Sequence, residues 1–295
     1  MPTTGIPRAR AALTTLALTA SLAAGALTAA GPAAAAAQAA PYARYVALGD
    51  SYASGAGVPT QVDTACARSD KNYPSVLAGA LAPAATADVT CGGATTVHMT
   101  STQSGSAGPQ FNALTADTDL VTLTIGGNDV GFADIIVRCT TLGFFNGNGA
   151  PCKGSYTSGG TDQLAAKVDA TGAKVGAVLD GIRQRAPRAT VLVTGYPAIL
   201  PDDGSNCWAT VSIAKGDAPW LRDTQKRLNS VIAAQAAAHG ARYVDVYAPS
   251  VGHDVCKPSG TRWMEPLFGS GAAAFHPNAA GERSMAEAAR AVAVG

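Results

Sequence analysis

An α/β fold with helices layered on both faces of a five-stranded parallel sheet is predicted by three observations. Five short β-rich runs recur along the chain, alanine-rich helical stretches separate most of them, and glycine-containing motifs follow the first three runs. Strands dense in Val, Leu, Ile and Thr suit a sheet covered on both faces. Alternation with helices implies right-handed crossovers within one domain. The runs are Tyr45–Leu48, Ala87–Thr90, Leu120–Ile125, Thr190–Thr194 and Arg242–Tyr247. Helices are expected at Tyr73–Leu81, Gln163–Arg185, Trp220–His239 and Ala279–Val294, with Pro187, Gly240 and Gly281 punctuating their boundaries. Three segments read as irregular rim loops: Arg138–Gly160, Tyr196–Pro219 and Pro249–Phe275.

Residues 1–40 read as a segment outside this domain. Arg8 and Arg10 form a positive start, Ala11–Ala24 an apolar stretch, and Ala37-Gln38-Ala39 a small-residue cleavage pattern. That combination is a secretory signal peptide, and the apolar stretch is too short for a membrane span. Without paired arginines, a Sec-type route to a secreted, extracellular protein is expected. Residues 41–295 then form the folded domain, and losing two arginines takes the formal charge from +1 to −1. No basic run marks a nucleic-acid or anionic-membrane partner. No repeat, heptad run or second domain is visible, and a monomer is expected.

All six cysteines fall in residues 41–295: Cys66, Cys91, Cys139, Cys152, Cys207 and Cys256. An even count in an exported chain reads as three disulfides, drawn from fifteen conceivable pairings. Pairing between sequence neighbours (Cys66–Cys91, Cys139–Cys152, Cys207–Cys256) ties down one loop each and is the expectation. Metal-ligand spacings such as C-x-x-C or H-E-x-x-H are missing, so neither metal nor cofactor is expected.

The motifs carry the chemistry. Gly49-Asp50-Ser51-Tyr52 follows the first run, Cys91-Gly92-Gly93-Ala94 the second and Gly126-Gly127-Asn128-Asp129 the third. Phe275-His276-Pro277-Asn278 precedes the last helix. Open α/β sheets bind ligands at the carboxyl ends of their strands, where the first three motifs converge. A serine, a late histidine, and loops rich in amide donors are the parts acyl transfer requires. Each has a plainer reading as well: a helix-capping serine, a turn glycine, a turn asparagine. Asp50 reads as structural. No G-x-S-x-G elbow occurs, which disfavours an α/β-hydrolase.

Together these blocks resemble the SGNH hydrolases (the GDSL esterases and lipases), and within them the secreted actinobacterial lipase and phospholipase branch. The resemblance covers Val46-Ala47-Leu48-Gly49-Asp50-Ser51-Tyr52-Ala53-Ser54-Gly55, Cys91 to Thr95, Gly126 to Gly131 and His276 to Asn278. It implies a flavodoxin-like sheet and a carboxylic ester hydrolase with Ser51 as nucleophile and His276 as base. The implied oxyanion donors are the Ser51 and Gly93 amides and the Asn128 side chain. The other histidines, His98, His239 and His253, match no block, although His253 in its loop near Cys256 is a rival. One departure stands out. The family usually carries an aspartate three residues before the histidine, and here that position is Ala273. The resemblance therefore implies a Ser–His dyad, with a main-chain carbonyl from Ser270–Ala274 orienting the imidazole. Phospholipase A, carbohydrate acetylesterase and a non-catalytic binding protein remain the alternatives.

Overall fold

Parallel strands ordered β4-β1-β5-β6-β7 form the central sheet of the computed structural model, which describes residues 41–295. The expected signal peptide lies outside the described residues. In chain order the strands are β1 (Arg44–Gly49), β2 (Gln61–Asp63), β3 (Arg68–Ser69), β4 (Ala85–Asp88), β5 (Leu120–Thr124), β6 (Thr190–Thr194) and β7 (Arg242–Val244). The helices are α1 (Ser51–Ser54), α2 (Tyr73–Leu81), α3 (Gly127–Val130), α4 (Phe132–Phe145), α5 (Pro151–Thr157), α6 (Gln163–Arg185), α7 (Trp208–Val211), α8 (Ala218–Ala238) and α9 (Ala279–Val294). No helix among the described residues is long and apolar enough to cross a membrane.

Two apolar layers sandwich the sheet. One buries Val46, Leu48, Val121, Leu123, Val191 and Val193 against α6 and α8. The other buries Tyr45, Ala47, Leu120 and Leu192 against α2 and α9. Strand alternation explains the split, because neighbouring side chains point to opposite faces. Removing a side chain such as Leu123, which is fully buried, should cost about 2–5 kcal/mol.

Strand order reverses between β4 and β5 on either side of β1, which carries Gly49 and leads into Ser51. Such a switch point opens a crevice at the strands' carboxyl ends. The five expected strands are all present, with β4 shifted to Ala85–Asp88 and β7 ending at Val244. The short antiparallel β2–β3 hairpin adds an element that composition did not announce.

Arg138–Gly160 is the main correction: it is helical rather than an irregular loop. The α4 helix runs through Phe145, and α5 begins at Pro151. Proline suits a first helical turn because its missing N–H would be unpaired there. The cap comes from far away in sequence. The buried Asp217 carboxylate accepts the Cys152 and Lys153 amides at 3.1 and 2.8 Å. Such a tertiary cap leaves no local signal. Likewise, the Tyr196–Pro219 segment contains α7 and the first residues of α8, which starts at Ala218. The disulfides are Cys66–Cys91, Cys139–Cys152 and Cys207–Cys256. Each closes a loop whose entropy it removes from the unfolded chain, a contribution of about 3–4 kcal/mol.

Candidate active site

The turn from β1 into α1 requires Gly49. Its φ is +145°, and an added Cβ would stand 2.6 Å from the Thr124 carbonyl oxygen. Gln110, itself buried, clasps this residue: its Nε2 donates to the Gly49 carbonyl at 2.9 Å and its Oε1 accepts the Gly49 amide at 2.7 Å. Asp50 then caps α1 by accepting the Tyr52 amide at 3.0 Å. Ser51 is the first residue of the helix, with 8% of its surface exposed.

His276 reaches Ser51 from the opposite side. Its Nε2 lies 2.8 Å from Ser51 Oγ, and its Nδ1 lies 2.8 Å from the Ala274 carbonyl oxygen. A carbonyl can only accept, so Nδ1 carries the proton and Nε2 offers its lone pair to the serine hydroxyl. The ring is walled by Tyr52, 4.8 Å between centroids, and by Phe132, edge-on at 5.6 Å. Burial in this setting pulls the imidazole pKa below its ordinary 6.5, while the Ala274 carbonyl partly restores it. The other three histidines are engaged elsewhere. His98 Nδ1 accepts the Thr95 amide, His239 Nδ1 sits 2.7 Å from Asp180, and His253 stacks on Trp263 while its Nδ1 meets the Thr261 carbonyl.

Cross-loop hydrogen bonds knit the three motif loops together. The Cys91 amide donates to the Gly49 carbonyl at 3.0 Å, and the Gly92 amide to the Cys66 carbonyl at 2.7 Å. The second bond runs parallel to the Cys66–Cys91 bridge, so the loop carrying Gly93 is held twice. Gly93 adopts φ +77° and is exposed, with only Gln103 Nε2 near the place a Cβ would occupy. Asn128 Nδ2 donates to the Ala94 carbonyl at 2.9 Å, which ties the third loop to the second. An amide nitrogen has two protons, so one donor of Asn128 remains for another acceptor. Ser51 and Asn128 line the same cleft, whereas Gly93 lies outside its lining.

Beneath the serine lies a buried polar chain. Tyr196 donates its hydroxyl to Asp50 Oδ2 at 2.6 Å and accepts the Gly127 amide at 2.8 Å. Burial pushes the Asp50 carboxyl up to about 7 against the pull of these hydrogen bonds. Asp50 thus fixes the turn, its two oxygens taken by the Tyr52 amide and the Tyr196 hydroxyl rather than by the imidazole. Tyr52 donates to the Phe275 carbonyl at 2.6 Å, joining the serine motif to the histidine loop. Phe275 itself is a fully buried non-glycine residue at φ +61°, a conformation that costs about 1–3 kcal/mol.

Glu265 holds that strained loop. Its backbone pairs in both directions, accepting the Phe275 amide at 2.7 Å and donating to the His276 carbonyl at 2.9 Å. Its carboxylate accepts Asn278 Nδ2 at 2.9 Å and Arg262 Nη2 at 3.0 Å. These donors hold its pKa below the ordinary carboxylate value even though burial opposes them. The carboxylate is therefore a brace behind the loop, while the imidazole itself leans on a neutral carbonyl. Tyr52, Phe132, Tyr196 and Glu265 escape sequence reasoning as site residues. Only Tyr52 carried a signal, as the residue after Ser51 in the first motif.

From Ser51 a cleft runs inward between α4, α6 and α8. Its wall is mostly apolar, with aliphatic Ile135, Leu164, Val168 and Leu228 beside aromatic Tyr52 and Phe132. Polar side chains are few: Asp50, Ser51 and Asn128 from the motif loops, and Thr224 and Gln225 from α8. Such a site accepts a substrate with a reactive polar group attached to an apolar tail.

The comparisons with known proteins identify the family. A family model described as GDSL-like Lipase/Acylhydrolase family matches residues 47–283. The chain is 45% identical over 254 residues to Lipase 2 of Streptomyces coelicolor, covering 84% of each. Among solved structures, phospholipase A1 from Streptomyces albidoflavus superposes with a TM-score of 0.72 at 32% identity, covering 85% of this chain and 99% of that one. The extracellular lipase from Streptomyces rimosus gives 0.70 at 30% identity, over 84% and 98%. With the Gly49-Asp50-Ser51 motif at the sheet's switch point, an apolar cleft behind it and relatives of this closeness, the chain belongs to the GDSL-like lipase/acylhydrolase family of ester hydrolases.

Proposed function

We propose that this hydrolase cleaves acyl esters through a covalent acyl-enzyme formed by a Ser51–His276 dyad. The single observation carrying this reading is the relay Ser51 Oγ–His276 Nε2 and His276 Nδ1–Ala274 carbonyl, each 2.8 Å. Ser51 Oγ attacks the ester carbonyl as Nε2 takes its proton. The oxyanion is met by the Ser51 and Gly93 amides and by Asn128, groups that need not reorganise as charge develops. His276 then returns the proton to the departing alcohol. Water repeats the sequence on the acyl-serine and frees the acid. Charge on the imidazolium is stabilised by the Ala274 carbonyl dipole alone, since Glu265 braces the loop from behind.

The aliphatic cleft supports a medium or long acyl chain as the group seated beside Ser51. The phospholipase alternative rests on the similarity to phospholipase A1 from Streptomyces albidoflavus. Carbohydrate acetyl esters fit less well, because none of Trp208, Trp220 and Trp263 lines the cleft. Secretion as a disulfide-bonded monomer is part of the proposal, supported by the signal-like residues 1–40 and the three bridges. The test is a panel of p-nitrophenyl esters from acetate to palmitate, with triglyceride and phosphatidylcholine alongside. The expected result is kcat/KM rising from acetate toward longer chains. A maximum at acetate with no hydrolysis of either lipid would contradict the acyl-chain assignment.

A further inference from the structure

The outward face of α4 carries, beside exposed Asp134 and Arg138, a largely apolar stripe where a surface helix is ordinarily polar. Ala133, Val137, Thr141, Phe144 and Phe145 are all exposed and recur at helical spacing along one stripe. Val137, Phe144 and Phe145 leave 65%, 60% and 81% of their surface in solvent. The stripe starts beside the catalytic centre, because Phe132 touches the His276 ring and Ile136 lines the cleft. It ends in an aromatic cluster. Phe144 packs edge-on against Phe145 at 5.3 Å and parallel to Trp208 at 6.5 Å.

This cluster is built rather than incidental. Trp208 Nε1 donates to the Gly143 carbonyl at 2.7 Å, so its polar atom is satisfied while the ring stays 39% exposed. A Cβ on Gly143 would stand 2.2 Å from the Ser212 carbonyl oxygen, and one on Gly147 would stand 2.6 Å from the Trp208 ring. Only glycine lets these segments approach so closely. Two disulfides anchor the platform from behind: Cys139, one turn before Gly143, is bonded to Cys152, and Cys207, the neighbour of Trp208, to Cys256. Fixed aromatic groups with satisfied polar atoms suit the boundary between water and acyl chains.

Charge distinguishes the occupant. Exposed Arg138 lies on α4 itself, and exposed Lys153 follows the Cys152 end of the first bridge. Lys215, also exposed, sits where its amide donates to the Gly147 carbonyl at 2.9 Å. The only acid on α4 is Asp134, near the end close to the active centre. Three cations around an apolar ridge complement phosphate groups lying above acyl chains. We infer that the α4 stripe and the Phe144–Phe145–Trp208 cluster dock the enzyme on a phospholipid surface, with the cleft mouth at the other end of the same helix. This rests on the esterase reading above. Its effect is to hold the catalytic cleft beside a surface from which single lipid molecules enter.

The test compares the wild-type enzyme with Phe144→Ser/Phe145→Ser and with Phe145→Ser alone. Both changes fall at exposed positions that touch neither Ser51 nor His276. Cosedimentation with phosphatidylcholine vesicles should weaken by about tenfold or more in the double variant and by less in the single one. Hydrolysis of dissolved p-nitrophenyl butyrate should stay within twofold of wild type for both. Vesicle binding by the double variant equal to wild type would overturn the docking proposal. So would a wild-type enzyme that ignores vesicles and instead self-associates through Phe144 and Phe145. A wild-type enzyme that binds vesicles yet hydrolyses no dissolved ester would leave docking standing and sink the esterase mechanism instead.

Discussion

The two halves of the candidate dyad are positioned by different physics. Ser51 stands two residues beyond a central strand, where the sheet's own backbone holds it. The Asp50 amide donates to the Thr124 carbonyl, the Gly49 carbonyl accepts from Cys91, and Gln110 clasps Gly49 from both sides. His276 stands at the end of a long segment between β7 and α9 that contains no named strand. There the loop is held by Glu265, by the Tyr52 hydroxyl and by a strained Phe275. Ser51 is thus placed by short-range geometry and His276 by a non-local polar brace. Local stability follows such differences, so the histidine side should be the softer half.

The largest expected effects treat the halves as equals. Ser51→Ala and His276→Ala should each lower kcat for a soluble ester by about 10⁴-fold or more, with unchanged circular dichroism. Activity of Ser51→Ala within tenfold of wild type would remove the nucleophile assignment. Next comes the oxyanion side. Asn128→Ala should lower kcat by about 10²–10³-fold with little change in KM, as a donor used mainly in the transition state must. A rise in KM alone would make Asn128 a ground-state binding group.

The same contrast explains what the sequence made legible. The serine half could be read because a β-rich run followed by Gly-Asp-Ser at a sheet edge is a local pattern. The apolar strands and the amphipathic α6 and α9 were local patterns too. The choice of His276 among four histidines came from a family resemblance, because nothing near residue 276 encodes a contact with residue 51. The Ala274 carbonyl was confined only to a five-residue stretch, since every residue has a carbonyl and the backbone path decides which one faces the ring. Glu265 carries no local signal at all. Its role depends on Arg262 and Asn278 folding back on it. Arg138–Gly160 was misread for a similar reason, because α5 takes its cap from Asp217, more than sixty residues away.

Smaller effects separate brace from relay. Glu265→Gln keeps the shape but weakens the pair with Arg262, so activity should fall by about 10²-fold at most through misplacement of His276. Asp254→Asn should cost less still, because that buried carboxylate accepts the Cys256 amide at 2.9 Å and makes no hydrogen bond to His276. A loss above a thousandfold for either, with folding preserved, would mean that a carboxylate completes a triad. The pH profile refines this. The proposed dyad needs neutral His276, whose pKa burial lowers below 6.5, so kcat/KM should hold up to lower pH than an ordinary histidine would allow. Ala273→Asp should raise that acidic limb if the new carboxylate reaches the ring.

Asp50 supplies a control on the serine side. Its folded pKa of about 7 exceeds the ordinary 3.8 expected when unfolded. In that interval the folded protein holds a proton that the unfolded chain releases, so this group's contribution to stability falls as pH rises through about 7. Asp50→Asn can still cap α1 and should flatten the dependence of the melting midpoint on pH between about 4 and 7. An unchanged slope would mean that Asp50 is ionised in the folded protein across that range.

The most direct test of the dyad account is covalent trapping. A p-nitrophenyl alkylphosphonate, which mimics the tetrahedral intermediate, should label the enzyme once, with peptide mass spectrometry placing the adduct on Ser51. Labelling should be lost in Ser51→Ala and strongly slowed in His276→Ala, while Glu265→Gln still reacts. A stoichiometric adduct on any other residue, or labelling of Ser51 that is indifferent to His276, would contradict the account.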